Sequence, residues 1–272
     1  MLYYIINIHG GEKMKENKIT INKLFFPPIY NNFNMNITSG KINIISGPNN
    51  CGKSTLIKLL NKKNTYFGEI KINNIDINNY KVDDYIKLIK SIRLEELLFT
   101  CETIEDEVTY YVNNINDNNY KELIKKLKLT KYKKSNLKNI DISLKIKMKL
   151  LLYLLSNPEI LIIEDMSLYF TQKEIKEIFD ALKWYQEQND ITIIITTTNL
   201  DIALYADYLY VISEGNIILE GTPIEVLQND NIINRTGLTV PFMVDLSVKL
   251  RDYDLIENIE LDMNRMVDKL WK

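Results

Sequence analysis

The sequence predicts an α/β fold: a mainly parallel sheet with helices on both faces, an antiparallel β part at the N-terminus, an inserted helical stretch and a helical tail. Three observations carry that prediction. The β-branched runs Ile42 to Ile45, Glu159 to Ile163 and Ile191 to Thr197 lack the polar alternation of a half-exposed strand, as strands buried on both faces do. Stretches at helical spacing separate them, which is the signature of strand–helix–strand crossovers. The first run also breaks into Gly47-Pro48-Asn49-Asn50-Cys51-Gly52-Lys53-Ser54-Thr55 and resumes helically at Leu56, Leu59 and Leu60. That is G-x-x-x-x-G-K-S set between a strand and a helix, a phosphate-binding loop in the context that confirms it.

The chemistry of such a loop dictates its residues. Consecutive backbone N–H groups must turn inward toward an anion, so the turn needs residues that are small or tolerate positive φ. Gly47 and Gly52 meet that need, and Asn50 can visit the left-handed region. Lys53 brings a point charge to the β/γ phosphates, Ser54 a hydroxyl for Mg²⁺, and the following helix its positive end. Cys51 reads as a small loop filler.

The 272 residues suffice for one large domain or two small ones, and an apolar content of 46% supports a real core. A formal charge of −2 gives no basic footprint for nucleic acid. The longest apolar run, Leu150 to Leu155, falls far short of the roughly 18 residues that span a bilayer, so any membrane role works through a partner. Two cysteines, Cys51 and Cys101, make no disulfide framework and fit a reducing cytoplasm. Gly10-Gly11-Glu12-Lys13-Met14 can be encoded by a stretch containing a ribosome-binding sequence, so Met14 is the expected start and residues 1–13 a non-native leader.

In chain order, Lys18 to Phe26 and a segment ending near Ile37 read as strands joined through Pro27-Pro28. Phe26 lies where an aromatic could stack on an adenine, or serve as an ordinary strand hydrophobe. Gly68 to Asn73 is a strand, and Val82 to Lys90 an amphipathic stretch. Thr103 opens a helix whose first turn carries Glu105, Asp106 and Glu107. Lys121 to Lys138 is lysine-dense at helical spacing, which reads as a solvated face or, alternatively, as a contact with anionic lipid or a membrane partner. Ser143 to Leu155 is a helix ended by Asn157-Pro158. The strand Glu159 to Ile163 finishes in Glu164-Asp165, and Gln172 to Gln188 is helical. Tyr208 to Ser213 and Asn216 to Glu220 are strands turned at Glu214-Gly215. Residues 84 to 157 are expected to be almost wholly helical.

A phosphate loop needs a carboxylate on another core strand to hold Mg²⁺ and a group to orient an attacking water. Glu164-Asp165 is the strand end that offers both.

These stretches resemble the ATP-binding subunits of ABC transporters, from about residue 17 onward. The likeness rests on GPNNCGKST, on Asn157 through Asp165, and on Ala206 through Ile212 and Gly215 to Glu220-Gly221-Thr222-Pro223. Thr103-Ile104-Glu105-Asp106-Glu107-Val108 and the tail Gly237-Leu238-Thr239-Val240-Pro241-Phe242-Met243 are similar to the energy-coupling-factor (ECF) importers in particular. The resemblance implies a P-loop NTPase core of the ABC ATPase type over 14–230, with a helical subdomain at about 84–157 and an ECF-type helical extension over 231–272. It implies ATP and Mg²⁺ as cofactors, with Phe26 on the adenine and the loop from Gly47 through Asn49, Asn50, Cys51, Gly52, Lys53, Ser54 and Thr55 on the phosphates. Ser54 and Glu164 then fall at the metal, and Asp165 and Thr198 at the catalytic positions. The implied partners are a second ATP-binding subunit, giving a heterodimer, a transmembrane coupling protein and a substrate-capture subunit. The implied location is the cytoplasmic face of a bacterial cell membrane.

The chain departs from the family's pattern at several places. The acidic pair reads Glu then Asp, the reverse of the family's order. The family's metal-sensing glutamine falls near Arg93, read here as a surface arginine that meets the coupling protein. The signature motif should lie at Ile140-Asp141-Ile142-Ser143-Leu144, which has no glycine. Thr198 stands where the family has a switch histidine, and Thr171 where it has an aspartate. Nucleotide binding is expected to survive these changes, and fast turnover is not. An importer ATPase with slow hydrolysis and a non-hydrolysing partner of an intact paralogue are the two readings.

Overall fold

A computed structural model describes residues 17–112, 117–165 and 167–271. The expected leader, 1–13, lies outside them. An antiparallel hairpin comes first, β1 (Asn17–Phe26) and β2 (Tyr30–Thr38), turned at Pro27-Pro28. The buried strand β3 (Ile42–Ser46) leads through the glycine loop into α1 (Lys53–Leu60). Next come β4 (Phe67–Ile72), the two-residue β5 (Ile75–Asp76), α2 (Val82–Leu88) and β6 (Ile89–Ile92). Three helices follow, α3 (Ile104–Tyr111), α4 (Asp117–Lys126) and α5 (Ile142–Leu155). The chain then alternates β7 (Ile160–Ile163), α6 (Gln172–Gln186) and β8 (Thr192–Thr197), and closes the sheet with β9 (Tyr208–Ser213) and β10 (Asn216–Gly221). Four helices form the tail: α7 (Pro223–Leu227), α8 (Asp230–Arg235), α9 (Phe242–Asp252) and α10 (Met263–Leu270).

The strands form two sheets. One is antiparallel, in the order β2-β1-β4-β5; the other runs β10-β9-β3-β8-β7-β6, with β10 antiparallel and the rest parallel. The large sheet is buried on both faces, and its side chains divide with a period of two. Ile44, Leu161, Ile163, Ile193 and Ile195 point into one core, with α5 and α6. Ile45, Ile160, Ile162, Ile194 and Ile212 point into the other, with α1 and the antiparallel sheet. Each such isoleucine contributes about 1.5–3 kcal/mol by leaving water, and that is why isoleucine-rich runs without alternation fold as central strands here.

Caps set the helix starts. Thr103 accepts the Asp106 N–H at 3.2 Å, Asp141 the Leu144 N–H at 2.8 Å, and Thr171 forms a reciprocal capping box with Glu174.

Three sequence expectations change. Residues 84–157 are not nearly all helix, because Ile89–Ile92 leaves α2 directly and pairs in parallel with β7 as the edge strand of the large sheet. The lysine-dense stretch is α-helical only to Lys126, with one 3-10 turn at Thr130–Tyr132; Lys128 adopts φ 58°, and Leu127, Leu129 and Leu137 turn into the core. Arg93 is not a surface residue: its side chain is 3% exposed. The residue directly after an edge strand would ordinarily face water, but here three carboxylates enclose it.

Candidate functional site

In an open parallel sheet, ligands sit beyond the carboxyl ends of the strands. The sequence-predicted site residues gather there. Ser46 of β3 pairs with Thr197 of β8, Ile195 of β8 with Ile163 of β7, and Ile163 with Ile92 of β6. The segments after these strands, beginning at Gly47, Thr198, Glu164 and Arg93, therefore emerge side by side.

The phosphate loop is sterically specified. A Cβ on Gly47 would lie 2.2 Å from the Ile212 carbonyl oxygen of β9 and 2.6 Å from Cys51 Sγ. No side chain fits between those atoms. Gly52, the residue before α1, has φ +117°, and a Cβ there would meet the Tyr30 hydroxyl at 2.6 Å. Asn50 takes φ 65°, the left-handed turn that its sequence position calls for. Cys51 is buried, whereas Asn49 and Asn50 are exposed. Lys53 folds back over the loop, its Nζ donating to the carbonyls of Gly47 at 2.6 Å and Pro48 at 2.9 Å, with Cys51 Sγ at 3.7 Å. An ammonium held over the loop, at the positive end of α1, is an anion site. Ser54 is exposed in the first turn of α1, with Thr55 half-buried beside it.

Tyr30 escaped the sequence reading. Its hydroxyl donates to the Gly52 carbonyl at 2.9 Å from a fully buried position, and burial pushes its pKa well above the ordinary phenol value. The neutral hydroxyl thus fastens the antiparallel sheet to the base of the loop. Its only trace in the sequence is a tyrosine just after Pro27-Pro28. Phe26 is half-buried at the end of β1; its carbonyl accepts the Ile29 N–H at 3.0 Å, and the Ile29 side chain lies against Gly52. The stacking candidate is thereby placed beside the loop.

The acidic pair is already engaged. Asp165 Oδ1 accepts from the Ser167 N–H at 3.2 Å, the Ser167 hydroxyl at 2.8 Å and the Thr197 hydroxyl at 3.3 Å. Its Oδ2 accepts from the Thr198 N–H at 3.1 Å, and the Thr198 hydroxyl stands at the long limit of 3.5 Å. The register accounts for this: Ile163 is level with Ile195, so two residues on Asp165 is level with Thr197. Glu164 Oε2 accepts from Arg93 Nε at 3.1 Å. The same guanidinium pairs with Glu96 at 3.3 Å and with Glu95, and Glu96 also pairs with Lys63. Arg93 and Glu164 are 71 residues apart, so nothing local in the sequence announced the pair.

The N-terminus of α5, where the signature motif was sought, is closed by an aspartate. Asp141 accepts from Leu144 N and from the Ser143 hydroxyl at 2.7 Å, and the Leu144 N–H bond holds its carboxyl below the ordinary range. Thr171 spends its hydroxyl on capping α6. Beside the loop, an open cleft of about 910 Å³ runs between Pro48-Asn49, the segment after Thr198 and the tail around Leu238 and Phe242. The tail is anchored there by Leu238, Val240, Val244 and Val248, which enter the main core.

Among known proteins, the family described as "ABC transporter" matches residues 30–167. A putative ABC transporter ATP-binding protein of Clostridium perfringens is 30% identical over 247 residues, 85% of each chain. The energy-coupling factor transporter ATP-binding protein EcfA of Pediococcus pentosaceus is 27% identical over 241 residues, 86% of each chain. The solved structure of cbiO1 from Clostridium perfringens, described as part of the ABC transporter complex cbiONQ, superposes with a TM-score of 0.70 at 23% identity, over 85% of this chain and 99% of that one. An ATP-bound bacterial Atm1-family ABC exporter superposes with a TM-score of 0.69 at 16% identity, over 85% of this chain and 43% of that one. These last two likenesses speak to the fold alone. With the strand–loop–helix phosphate site and a match over half of its length, the chain belongs to the ABC transporter family, as an ATP-binding subunit.

Proposed function

We propose that this chain is the ATP-binding subunit of an ECF-type importer, working at the cytoplasmic face of a bacterial membrane through partners. These are a transmembrane coupling protein, a substrate-capture subunit for a vitamin or metal ion, and a second ATP-binding subunit that makes a heterodimer. The observation that carries nucleotide binding is the loop, where neither Gly47 nor Gly52 has room for a Cβ and Lys53 lies over the anion position. The ECF assignment is supported by relatives named EcfA, in Pediococcus pentosaceus and, as EcfA1, in Mycoplasma mobile. The tail over 231–272, packed by Val244 and Val248, is our candidate for the pairing extension. No described helix is long and apolar enough to cross a membrane, so coupling runs through contacts with membrane subunits.

In this reading Phe26 stacks on the base, the amides from Asn49 to Thr55 and the end of α1 hold the phosphates, and Lys53 leaves the Gly47 and Pro48 carbonyls for the β/γ oxygens. Asp165 orients water, and Thr198 fixes Asp165. The donor set fits the nucleotide. It fits Mg²⁺ poorly: the expected ligands are Ser54 and Glu164, and Glu164 already holds the Arg93 guanidinium. A divalent ion would ordinarily neutralise the phosphates there.

A catalytically impaired, non-hydrolysing ATP-binding partner of an intact paralogue is the second reading, favoured by one observation: both oxygens of Asp165 are committed to donors on Ser167, Thr197 and Thr198. Its reach is also one methylene shorter than a glutamate's, and misplacements of about 1 Å can cost ~10²-fold in rate. The test is co-expression with the membrane subunits and a paralogous ATP-binding subunit, followed by co-purification and ATP turnover. A complex that retains ATP, and loses it in Lys53→Ala, supports the proposal. Failure to assemble with any ECF membrane subunit overturns it. Turnover unchanged by Asp165→Asn selects the second reading.

A further inference from the structure

The Arg93 guanidinium uses every one of its nitrogens on carboxylates: Nε on Glu164, Nη1 on Glu96 and Nη2 on Glu95. It is 3% exposed and permanently charged. Glu164 is the acidic residue expected at the metal position, and its Oε2 has been taken by this cation. Two consequences follow for a triphosphate in the neighbouring loop. The carboxylate oxygen that would draw a divalent ion already holds the guanidinium, so a metal approaching it would have to displace Arg93 from a buried ion pair. A metal-free triphosphate, in turn, has Lys53, the loop amides and the positive end of α1 to answer its charge, and both acidic residues after β7 are already engaged, Glu164 by Arg93 and Asp165 by Ser167, Thr197 and Thr198.

We propose that Arg93 is a resident counter-ion that replaces the divalent metal, so that this site takes a nucleoside triphosphate without Mg²⁺. Arg93 is here a positioning residue, acting through Glu164. The proposal rests on reading the loop as the nucleotide site.

The test is calorimetric titration of the full chain with ATP, in EDTA and in excess Mg²⁺. For the unaltered chain, the two affinities should agree to within about fivefold; Arg93→Gln, which frees Glu164, should bind more weakly in EDTA and gain more than about fivefold from Mg²⁺. Because that variant leaves three carboxylates facing one another, Glu164→Gln is the second probe. It removes the carboxylate with the guanidinium in place, and should show no gain from Mg²⁺. The inference is overturned if Mg²⁺ tightens binding by the unaltered chain or by Glu164→Gln more than about fivefold, or if a folded Arg93→Gln keeps the unaltered ratio. No binding in either buffer by a folded chain would defeat the nucleotide-site reading itself, and Mg²⁺-dependent binding would defeat only this inference.

Discussion

The Tyr30 hydroxyl holds the Gly52 carbonyl at 2.9 Å, linking the first hairpin to the residue that turns the phosphate loop into α1. Gly52 O also accepts the Leu56 N–H at 2.9 Å, so losing the hydroxyl does not orphan the carbonyl. Tyr30→Phe should therefore cost only about 0.5–1.5 kcal/mol. Tyr30→Ala, which empties a fully buried ring site whose centre lies 4.6 Å from the tilted Phe33 ring, should cost about 3–5 kcal/mol. Urea unfolding of the two variants tests this; equal losses would mean that the hydroxyl carries the whole effect and the ring none of it.

Asp141 makes a second prediction. Its carboxylate satisfies the first amides of α5, so Asp141→Ala should lose about 0.5–2 kcal/mol and Asp141→Asn much less. If the asparagine variant is as unstable as the alanine one, charge and not capping is what α5 needs.

Lys147 sends a buried ammonium from α5 to Glu174 of α6 at 2.9 Å, and that bond holds the Glu174 carboxyl below its ordinary range. A depressed folded-state value means that stability is complete above the unfolded carboxylate value and is lost as pH falls through the folded one. Replacing Lys147 with Met keeps the apolar stem and should flatten the acid limb of stability against pH. An unchanged acid limb in Lys147→Met would show that the pair is not a source of acid sensitivity.

The alkaline side is set by tyrosines. Burial pushes Tyr185 up to about 12, and pushes Tyr30, Tyr85, Tyr153 and Tyr210 upward as well. Raised folded-state values mean that this stability is complete below the ordinary phenol value and is lost as pH rises toward the folded one. Tyrosinate absorbance should rise in two phases, exposed rings first and the buried set together with unfolding. A single smooth titration, without loss of secondary structure, would contradict it.

Much of this was legible in the chain. The central strands declared themselves through unbroken isoleucine runs, and the loop through glycine spacing between a strand and a helix. Asn50 showed its left-handed turn in advance because few side chains tolerate one. Ile89–Ile92 hid because it leaves α2 without a glycine or proline between, and its apolar spacing continues the helical pattern. Arg93 was misplaced because its burial depends on Glu164, which only the parallel pairing of β6 with β7 brings near. Tyr30 was missed because its partner is a backbone carbonyl, which no side-chain motif encodes.

Helix α1 has its first residue, Lys53, folded over the phosphate loop, and just past its last turn Asn61 accepts from Ser91 while Lys63 pairs with Glu96 of the Arg93 cluster. Eight residues at about 1.5 Å each make a strut some 12 Å long. One short helix thus joins the lysine over the phosphate loop to β6 and to the salt-linked segment that follows it.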